Sequence, residues 1–384
     1  MEIMVYFDNA ATTYPKPESV ISAVSNAMRF YGANPGRAGH DMAYSTAEMI
    51  YNTRKLASDI FGVDEPENVV FTPNCTYALN CAIKGLAKKG SHFIISSLEH
   101  NAVVRPLETL KNRGVCDYSI ARVEKYDGET YMNFENLIRD NTVGIICTGA
   151  SNVFGKMPSL RGLSSLCKDY GLKFIVDGAQ ISGIYDINCK RDGIDILCIA
   201  AHKGLYAPMS SGMIIINGDI QLETVVEGGT GSYSAVLSQP NNLPERFESG
   251  TLSVPLIAGI NAGMKFVNRV GIENIRSHEL SVVKRINNEL KSIRNVIVYT
   301  DFDSEYESFA PLISFNIEKM NSEEVGKLLN ENGIAVRSGL HCAVLAHKTY
   351  GTVETGTVRI APSFFTNKND VNLLLKSIIK IAKG

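Results

Sequence analysis

The sequence lacks the features that would send a chain into or across a membrane. Its N-terminus, MEIMVYFDNAATT, has no basic stretch followed by an apolar one, and no uninterrupted apolar run approaches the length of a bilayer span. It also lacks a basic block or a charged tail, since 38 Lys and Arg face 40 Asp and Glu for a formal net charge of −2. These absences argue against nucleic acid or a membrane surface as the main partner, and we expect a soluble, cytoplasmic protein.

Disulfide-like cysteine spacing is lacking as well. The eight cysteines are scattered, none belongs to a CxxC pair, and most lie in apolar company such as GIICTG. We therefore expect reduced thiols in a reducing compartment. The cysteines are Cys75, Cys81, Cys116, Cys147, Cys167, Cys189, Cys198 and Cys342.

What the sequence does contain is an alternation of short apolar runs with amphipathic helical stretches. Runs such as HFIISS, VGIICTG and KFIVDG are uniformly apolar, which is typical of strands covered on both faces, so the sequence predicts an α/β sheet. A long helical stretch (257–292) and shorter strands follow, which is typical of a separate α+β domain. Two domains are expected at 384 residues, since single cores stop growing near about 250 to 300 residues.

Two of the apolar runs end on charged residues that suit one cofactor. KFIVDGAQ ends on Asp177, and DILCIAAHKG ends on His202 and Lys203. Ligands of open α/β sheets bind at the carboxyl ends of strands, so these side chains are expected to face one crevice. An Asp and a Lys there suit pyridoxal phosphate, because the Lys can form a Schiff base and the Asp can keep the pyridine nitrogen protonated. The alternative is a pair of solvated charges at strand ends.

A phosphate site is the third part that such a cofactor needs. In FTPNCTYALN a strand is followed by a Pro-Asn break and a helix that begins near Thr76, whose free N–H groups and dipole favour an anion. Alone, this pattern indicates a good N-cap. Beside Asp177 and Lys203 it indicates the phosphate end of the same site.

The segment VRSGLHCAVL near the C-terminus raises the question of how Cys342 is used. Taken alone, a core thiol is the first interpretation, because free Cys is among the most buried residue types. A zinc site formed by His341, Cys342 and His347 is disfavoured, because H-C-x4-H lacks the spacing of a structural site and a clear fourth ligand. A nucleophile is the third interpretation.

Ten motifs, taken in order, resemble those of the cysteine desulfurases. These enzymes belong to the class V aminotransferase group of fold-type I pyridoxal-phosphate enzymes. The resemblance runs from residue 6 to about residue 367, and the ordered set is far more specific than any single motif. The motifs are YFDNAATT, NPGRAGH, FTPNCTYALN, LEHNAV, SNVFGKM, VDGAQ, AHKGLYAP, GGTGSYS, ESGTLS and VRSGLHCA.

The resemblance implies a fold and a domain division. The expected fold is an α/β, fold-type I transferase with a mostly parallel seven-stranded sheet flanked by helices in the large domain, plus a smaller α+β C-terminal domain. The large, cofactor-binding domain is expected at 15–258. The small domain is expected to combine 1–14 with 259–384 and to carry the Cys342 loop. The resemblance also implies a homodimer with the site at the subunit interface.

Roles for individual residues follow from the same resemblance. Lys203, Cys342 and His100 would be catalytic. Arg359 would clamp the substrate carboxylate, since a planar guanidinium can bind it in bidentate fashion, and Arg337 would position the Cys342 loop. The alternative for each Arg is a surface ion pair. The implied cofactor contacts are Lys203 in the Schiff base, His202 near the phosphate, Asp177 on the pyridine nitrogen, Gln180 on the ring oxygen, His100 on the ring face, Asn152 at the ring oxygen or the substrate, Cys75 and Thr76 in the phosphate turn, and Thr251 at the phosphate of the neighbouring subunit.

The implied activity is that of a cysteine desulfurase, which converts L-cysteine to L-alanine, keeps the sulfur as a persulfide on Cys342 and passes it to an acceptor. A thiolate is the working nucleophile, and His341, Arg337 or another donor is expected to stabilise it. The short RSGLHCA form resembles the branch that depends on a separate acceptor protein, and also selenocysteine lyases. The alternatives are a selenocysteine lyase, a β-lyase acting on a substituted cysteine, and a catalytically idle, cofactor-binding scaffold for a sulfur-transfer partner.

Several positions depart from the family pattern near the expected site, among them Ala200, Ala361, Pro362, Ser253 and the loop LYAPMSSG. Ala200 stands where a Ser or Thr usually donates to the cofactor phosphate, and loss of one donor to a charged group costs roughly 1.5 to 3 kcal/mol. We expect looser cofactor binding unless Ser210 or Ser211 supplies the donor. Ala361 and Pro362 lie near the expected substrate, so the choice among cysteine, selenocysteine and a substituted cysteine stays open.

Overall fold

The computed structural model describes residues 4–35, 39–305 and 307–383. Residues 36–38, inside the NPGRAGH motif, lie outside the described residues. Across these ranges, none of the helices combines the length and the apolar composition needed to cross a membrane. The helices are α1 (Glu18–Phe30), α2 (Asp41–Phe61), α3 (Cys75–Leu86), α4 (Asn101–Asn112), α5 (Asp127–Glu135), α6 (Leu160–Asp169), α7 (Cys189–Asp192), α8 (Val254–Val270), α9 (Ile272–Lys291), α10 (Ser322–Glu331), α11 (Val344–Thr349) and α12 (Lys368–Lys383). The strands are β1 (Val5–Tyr6), β2 (Val69–Thr72), β3 (Ser91–Ser96), β4 (Cys116–Ala121), β5 (Thr142–Thr148), β6 (Lys156–Met157), β7 (Lys173–Asp177), β8 (Ile196–Ala200), β9 (Gly212–Ile216), β10 (Val296–Val298), β11 (Ser308–Phe309), β12 (Ile313–Ile317), β13 (Ile334–Ala335), β14 (Arg337–Gly339) and β15 (Thr357–Ile360).

A seven-stranded sheet forms the central layer, with the strand order β2-β9-β8-β7-β5-β3-β4. Within it only β9 runs antiparallel to its neighbours. Alternate residues of one strand enter different cores, since Ile94 packs in one apolar cluster and Phe93 and Ile95 in another. Because both faces of the sheet are packed against other elements, the sequences of its strands are uniformly apolar. The predicted α/β class and mostly parallel seven-stranded sheet are confirmed.

A second, four-stranded sheet lies later in the chain, with the order β10-β12-β15-β14. Its apolar side chains pack with α9, α10 and α12 in a separate core that includes Phe315, Leu329 and Leu374. The helical stretch predicted at 257–292 is two helices, α8 and α9, separated at Gly271, whose φ of 91° favours glycine. The domain boundaries stay a prediction.

The N-terminal segment joins the two sheets. β1 pairs in parallel with β13, and the backbone of Asp8 bridges to the residue after β15. From there residues 8–16, which we call the N-terminal strap, reach the loop after β8, where the Thr13 N–H donates to the His202 carbonyl at 3.2 Å. The strap therefore connects the last strands of the chain to the end of a central strand.

A buried ion pair anchors α2 to the edge strand β2. The side chains of Arg54 and Glu248 are only 7% and 6% exposed. Glu248 also accepts the Phe71 N–H of β2 at 2.7 Å, and Arg54 donates to the Val69 carbonyl in the same strand. Each charged group has a hydrogen-bond partner besides the other, which is the condition under which a buried pair is tolerated.

We predict that Glu248→Gln destabilises the fold markedly. It leaves the Arg54 guanidinium buried without its counter-charge, and breaking a buried pair in this way costs about 3–5 kcal/mol. The exposed pair Lys55 and Asp59 in the same helix is the matched control, because its side chains are 57% and 61% exposed and such pairs contribute about 0–1 kcal/mol. The thermal unfolding midpoint should fall by several degrees in Glu248→Gln and hardly change in Asp59→Asn. Equal shifts would contradict the prediction.

Candidate active site

A cavity of about 220 Å³ opens at the carboxyl ends of β5, β7 and β8, beside the N-termini of α3 and α4. Of the twelve residues that the sequence predicts for the site, ten line this cavity and two, Thr251 and Cys342, do not. The structure thus gathers side chains from both sheets into one place. The ten are Cys75, Thr76, His100, Asn152, Asp177, Gln180, His202, Lys203, Arg337 and Arg359.

Asp177 and Lys203 form the charged centre of the cavity. Asp177 ends β7 and is 4% exposed. Its Oδ1 accepts the Ala179 N–H at 3.0 Å and lies 3.5 Å from Cys75 Sγ. Burial lowers the pKa of the Lys203 amine; the Asp177 carboxylate opposes this shift and Arg359 adds to it. A lowered pKa enlarges the neutral fraction of the amine, which is the form that acts as nucleophile or base.

The N-terminal strap fixes the peptide group that precedes Lys203. The Thr12 hydroxyl, the Thr13 hydroxyl and the Thr13 N–H each donate to the His202 carbonyl at 3.2 Å, and Lys16 Nζ donates to it at 2.8 Å. Burial lowers the pKa of Lys16 to about 8, so the ammonium form still predominates at pH 7. Four donors on one carbonyl oxygen leave the backbone of this loop little freedom.

The turn before α3 has the form expected of a phosphate site. Asn74 is the N-cap, and its Oδ1 accepts the Tyr77 N–H at 2.9 Å. Asn74, Cys75 and Thr76 all line the cavity, so the first N–H groups of α3 and the positive end of its dipole lie where they favour an anion. The helix begins one residue before the predicted start at Thr76.

Neither serine expected to replace the donor missing at Ala200 lines the cavity. Ala200 itself does, at the end of β8. The Ser211 hydroxyl donates to the Pro208 carbonyl, and Ser210 is exposed. The structure does not support compensation by Ser210 or Ser211; Asn74, Thr76 and His202 are polar side chains that border the cavity at this end.

His100 caps the helix that also holds the Cys342 loop. As the N-cap of α4, its Nδ1 accepts the Ala102 N–H at 3.0 Å. The N–H of the next residue, Asn101, donates to the Cys342 carbonyl at 2.8 Å. Burial lowers the pKa of His100 to about 4, partly opposed by Asp177, so the ring is neutral at pH 7 with its proton on Nε2. A neutral ring here can stack on an aromatic cofactor without adding charge.

The Cys342 thiol lies at the surface in a strained turn. Cys342 is exposed, whereas the other seven cysteines are buried, so the core-thiol interpretation is wrong. His341 and Cys342 have positive φ angles of 49° and 58°, which cost about 1–3 kcal/mol each. Asn152 Nδ2 holds the turn by donating to the His341 carbonyl at 2.8 Å, and Arg337 Nη2 lies 3.6 Å from Cys342 Sγ.

His341 does not supply the charge that would stabilise a thiolate. Its Nε2–H donates to the Thr357 carbonyl at 3.0 Å, and its ring stacks on the His347 ring. Burial lowers the pKa of His341 to about 2, so the ring is neutral and Arg337 is the cation beside the thiol. Within the part of the chain that the structure describes, no group of three or more His, Cys, Asp or Glu side chains could hold a metal ion, so the zinc interpretation has no ligand set.

Arg359 is fully buried and is held by two hydrogen bonds. It lies on β15 with 1% of its surface exposed, which excludes a surface ion pair. Nη2 donates to Asp8 Oδ1 and Nη1 to the Asn152 carbonyl, both at 2.7 Å. Its Nε is buried and has no hydrogen-bond partner among the described residues. Arg337 is its direct neighbour across the β14–β15 pair.

Thr251, Ala361 and Pro362 lie outside the cavity that contains Asp177 and Lys203. Thr251 is exposed and lines a second cavity, of about 240 Å³, with Tyr51 and Thr230. A role of Thr251 at the cofactor phosphate would require a second subunit and stays a prediction. Ala361 and Pro362 line a small cavity, of about 40 Å³, that also borders Lys203 and Gln180, so these departures do not change the phosphate end.

The strap, the N-cap of α3 and the start of α4 contain site residues to which the sequence motifs assign no role. The motif YFDNAATT belongs to the family signature, but the resemblance assigns no role to its residues or to Lys16 after it. The signal that could have found the strap residues is the concentration of hydrogen-bonding side chains in residues 8–16, DNAATTYPK, which are bounded by the charged residues Asp8 and Lys16. The missed residues are Asp8, Thr12, Thr13, Lys16, Asn74 and Asn101.

The lining of the cavity fits pyridoxal phosphate. It combines a buried carboxylate, an amine with a lowered pKa, and a helix N-terminus that favours an anion. Three buried polar atoms of the lining, His202 Nδ1, Asn152 Oδ1 and Arg359 Nε, have no partner within the described structure. Buried polar groups are normally hydrogen-bonded, so these atoms indicate a place for a ligand with several polar groups.

Comparisons with known proteins agree with this chemistry. The sequence profile of the family described as aminotransferase class-V matches residues 5–374. The chain is 29% identical to a probable cysteine desulfurase of Methanothermobacter thermautotrophicus, over 98% of this chain and 94% of that protein. It is 27% identical to a probable cysteine desulfurase of Mycolicibacterium paratuberculosis over 99% of this chain, but it spans only 56% of that longer relative.

A solved structure shares the whole fold. The chain superposes on the apo structure of a cysteine desulfurase from Thermococcus onnurineus NA1 with a TM-score of 0.91 and 27% sequence identity. The match covers 99% of this chain and 95% of the other. The fold described above is therefore that of a known enzyme structure over its full length.

We predict that Arg337→Gln slows the alkylation of Cys342 by iodoacetamide at neutral pH by up to about fivefold. The thiolate is the reacting form, and an exposed charge pair contributes about 0.2–1 kcal/mol to its stability. Arg337→Lys, which keeps the charge, is the control and should react nearly as fast as the wild type. Peptide mass spectrometry reads the rate at Cys342 alone, because the other cysteines are buried. An unchanged rate in Arg337→Gln would show that the guanidinium has no such role.

Proposed function

The chain belongs to the aminotransferase class-V family, and we propose that it is a pyridoxal-phosphate-dependent cysteine desulfurase that converts L-cysteine to L-alanine. One observation carries the proposal: the exposed thiol of Cys342 contacts Arg337, which lines the cavity that contains Asp177 and Lys203. A sulfur nucleophile beside a lysine and a carboxylate is the combination that this reaction needs. The relatives named cysteine desulfurase support the same activity.

The cofactor of this family is pyridoxal phosphate, and each part of it has a group to hold it. Lys203 would hold its aldehyde carbon and Asp177 its ring nitrogen. Thr76, the first N–H groups of α3, and His202 would hold the phosphate, and His100 would cover one face of the ring. When bound, the cofactor withdraws electrons from the bonds at the substrate Cα.

Side chains of the protein bind the substrate, move the proton and accept the sulfur. Arg359 holds the substrate carboxylate through N–H groups that Asp8 does not use. Burial lowers the pKa of Lys203 and so favours its neutral amine, the form that can take a proton from Cα and return it. The Cys342 sulfur, 3.6 Å from Arg337 Nη2, attacks the substrate sulfur. An S–S bond forms as the substrate Cβ–S bond breaks, the electron pair stays on the carbon side, and protonation of that carbon leaves alanine and a persulfide on Cys342.

We predict that Cys342→Ser abolishes the formation of alanine from cysteine and leaves the absorbance of the bound cofactor unchanged. The serine hydroxyl cannot take up the sulfur, whereas the residues that hold the cofactor are intact. In the wild type, mass spectrometry should find one added sulfur atom on the Cys342 peptide after incubation with cysteine. Cys116→Ser, on the edge strand β4, is the matched control and should keep full turnover.

Other results of this experiment would indicate other functions. Turnover that survives Cys342→Ser would indicate a β-lyase, and turnover of selenocysteine but not cysteine would indicate a selenocysteine lyase. Cofactor binding by the wild type without any turnover would indicate a scaffold. Lys203→Ala should abolish turnover in every enzymatic case.

We also propose that a separate acceptor protein collects the sulfur. Leu340, two positions before Cys342, is 41% exposed and gives the surface around the thiol an apolar contact. An added thiol reductant should therefore accelerate turnover, because the persulfide must be discharged before the next cycle. Full sulfide release without any acceptor would contradict this. The unpaired state of all eight cysteines supports a reducing compartment such as the cytoplasm.

A homodimer that completes each active site is part of the same proposal. Thr251 does not line the cavity that contains Lys203 in its own chain, so its predicted role at the phosphate needs a second copy. Large apolar side chains on α1 and α2 are exposed, including Met28 at 72%, Phe30 at 67% and Tyr44 at 65%. In a dimer, a second copy could cover these side chains.

We predict a mass in solution of twice 41.9 kDa by light scattering, and a cofactor affinity lowered about tenfold or more in Thr251→Ala. The affinity falls because one hydrogen bond to a charged group is lost. Thr109→Ala, an exposed threonine on α4, is the control. Mixing Lys203→Ala chains with Thr251→Ala chains should restore one complete site per hybrid dimer. A monomer, or hybrids without restored affinity, would contradict the proposal.

A further inference from the structure

The Arg359 guanidinium has hydrogen-bonding capacity that the protein leaves unused. It carries five N–H groups, and two of them are taken, by the Asp8 carboxylate and by the Asn152 carbonyl. The Nε–H is buried and unpaired within the described ranges. Because Arg359 lines the cavity that contains Asp177 and Lys203, an anion there can bind to Nε and to a second hydrogen of a terminal nitrogen without displacing Asp8.

The Asp8 carboxylate is held in place by its own backbone contacts. The Ala11 N–H donates to the Asp8 carbonyl at 3.0 Å, and the Asn9 side chain donates to the Ala361 carbonyl at 2.9 Å. Asp8 is therefore anchored to the end of β15, the strand that carries Arg359. The carboxylate and the guanidinium keep their relative position because both belong to the same small piece of backbone structure.

Asp8 also offsets an unfavourable pair of like charges. Arg337 and Arg359 are direct neighbours across two antiparallel strands, and both line the cavity. Like charges directly opposite each other are destabilising, and a fully buried guanidinium is costly without a counter-charge. The Asp8 side chain, at 21% exposure, supplies that charge. Without it, Arg359 would be free to turn away from Arg337 and from the cavity.

We propose that Asp8 is a positioning residue for substrate recognition: it aims Arg359 so that the Nε edge receives the carboxylate of an α-amino acid. This inference rests on the proposed function, since it deepens the role of Arg359 in the same site. The contrary possibility is that Asp8 occupies the place of the substrate carboxylate and must leave when substrate binds. The unpaired Nε favours positioning, because an anion has a place to bind while Asp8 stays.

The test compares two amines that differ by a carboxylate. L-Alanine and ethylamine are titrated into the cofactor-loaded protein, and the absorbance of the bound cofactor reports the binding of each amine. In Asp8→Asn we expect the affinity for alanine to fall about tenfold, equal to about 1.4 kcal/mol, and the affinity for ethylamine to change less than about twofold. In kinetics with cysteine, KM should rise while kcat stays nearly constant. Asp59→Asn on α2 should change neither affinity.

Several outcomes would overturn the proposal. Tighter binding of alanine by Asp8→Asn would show that Asp8 competes with the substrate. Equal losses for alanine and ethylamine would show a structural role alone. If Asp8→Asn fails to fold, Asp8→Glu replaces it, because it keeps the charge but displaces it by one methylene. The affinity of Asp8→Glu for alanine should fall while its affinity for ethylamine stays unchanged. If the loss is not selective for alanine, positioning by Asp8 is refuted. If the wild type binds alanine but does not turn over cysteine, the proposed function is wrong. The positioning role of Asp8 is then tested by alanine binding alone.

Discussion

The His202 carbonyl group, which accepts four hydrogen bonds from the N-terminal strap, fixes the geometry on which the rest of the site depends. The strap begins beside the end of β15, where Asp8 binds Arg359, and then holds the peptide next to Lys203 at the end of a central strand. The amine and the guanidinium, which belong to different sheets, thereby gain a defined separation. A substrate held at one end by its carboxylate can then present its Cα to the other.

Burial decides which groups in the cavity carry charge. His100 and His202, which line the cavity, are held neutral at pH 7 because desolvation lowers the pKa of each to about 4. His341, behind the Cys342 turn, is neutral for the same reason, with a pKa lowered to about 2. The charges that remain belong to a carboxylate and to two guanidiniums, with an amine whose protonation is weakened. Anions are therefore attracted at both ends of the cavity, at the N-terminus of α3 and at the two arginines. Lys203, the group proposed to carry a proton, lies between these two ends.

The part of the site that could be predicted from sequence is the part that local pattern determines. Asp177 and Lys203 follow apolar runs, and the topology of a parallel sheet then brings them together without further information. Asp8 meets Arg359 across 351 positions, and Lys16 meets the His202 carbonyl across 186. Such contacts depend on how the two sheets dock, which no local pattern records. Only a resemblance to a family could indicate that these segments belong to one site.

The strained turn at Cys342 shows how exposure and rigidity are combined. Two successive residues with positive φ are unfavourable, so the turn exists only because other contacts hold it: Asn152 on the His341 carbonyl and the N–H of Asn101 on the Cys342 carbonyl. The same contacts tie the turn to the cavity wall and to the helix that His100 caps. A thiol on a turn held in this way is poorly suited to carry sulfur away by its own motion. This rigidity supports the proposal that a separate partner collects the sulfur at the exposed thiol.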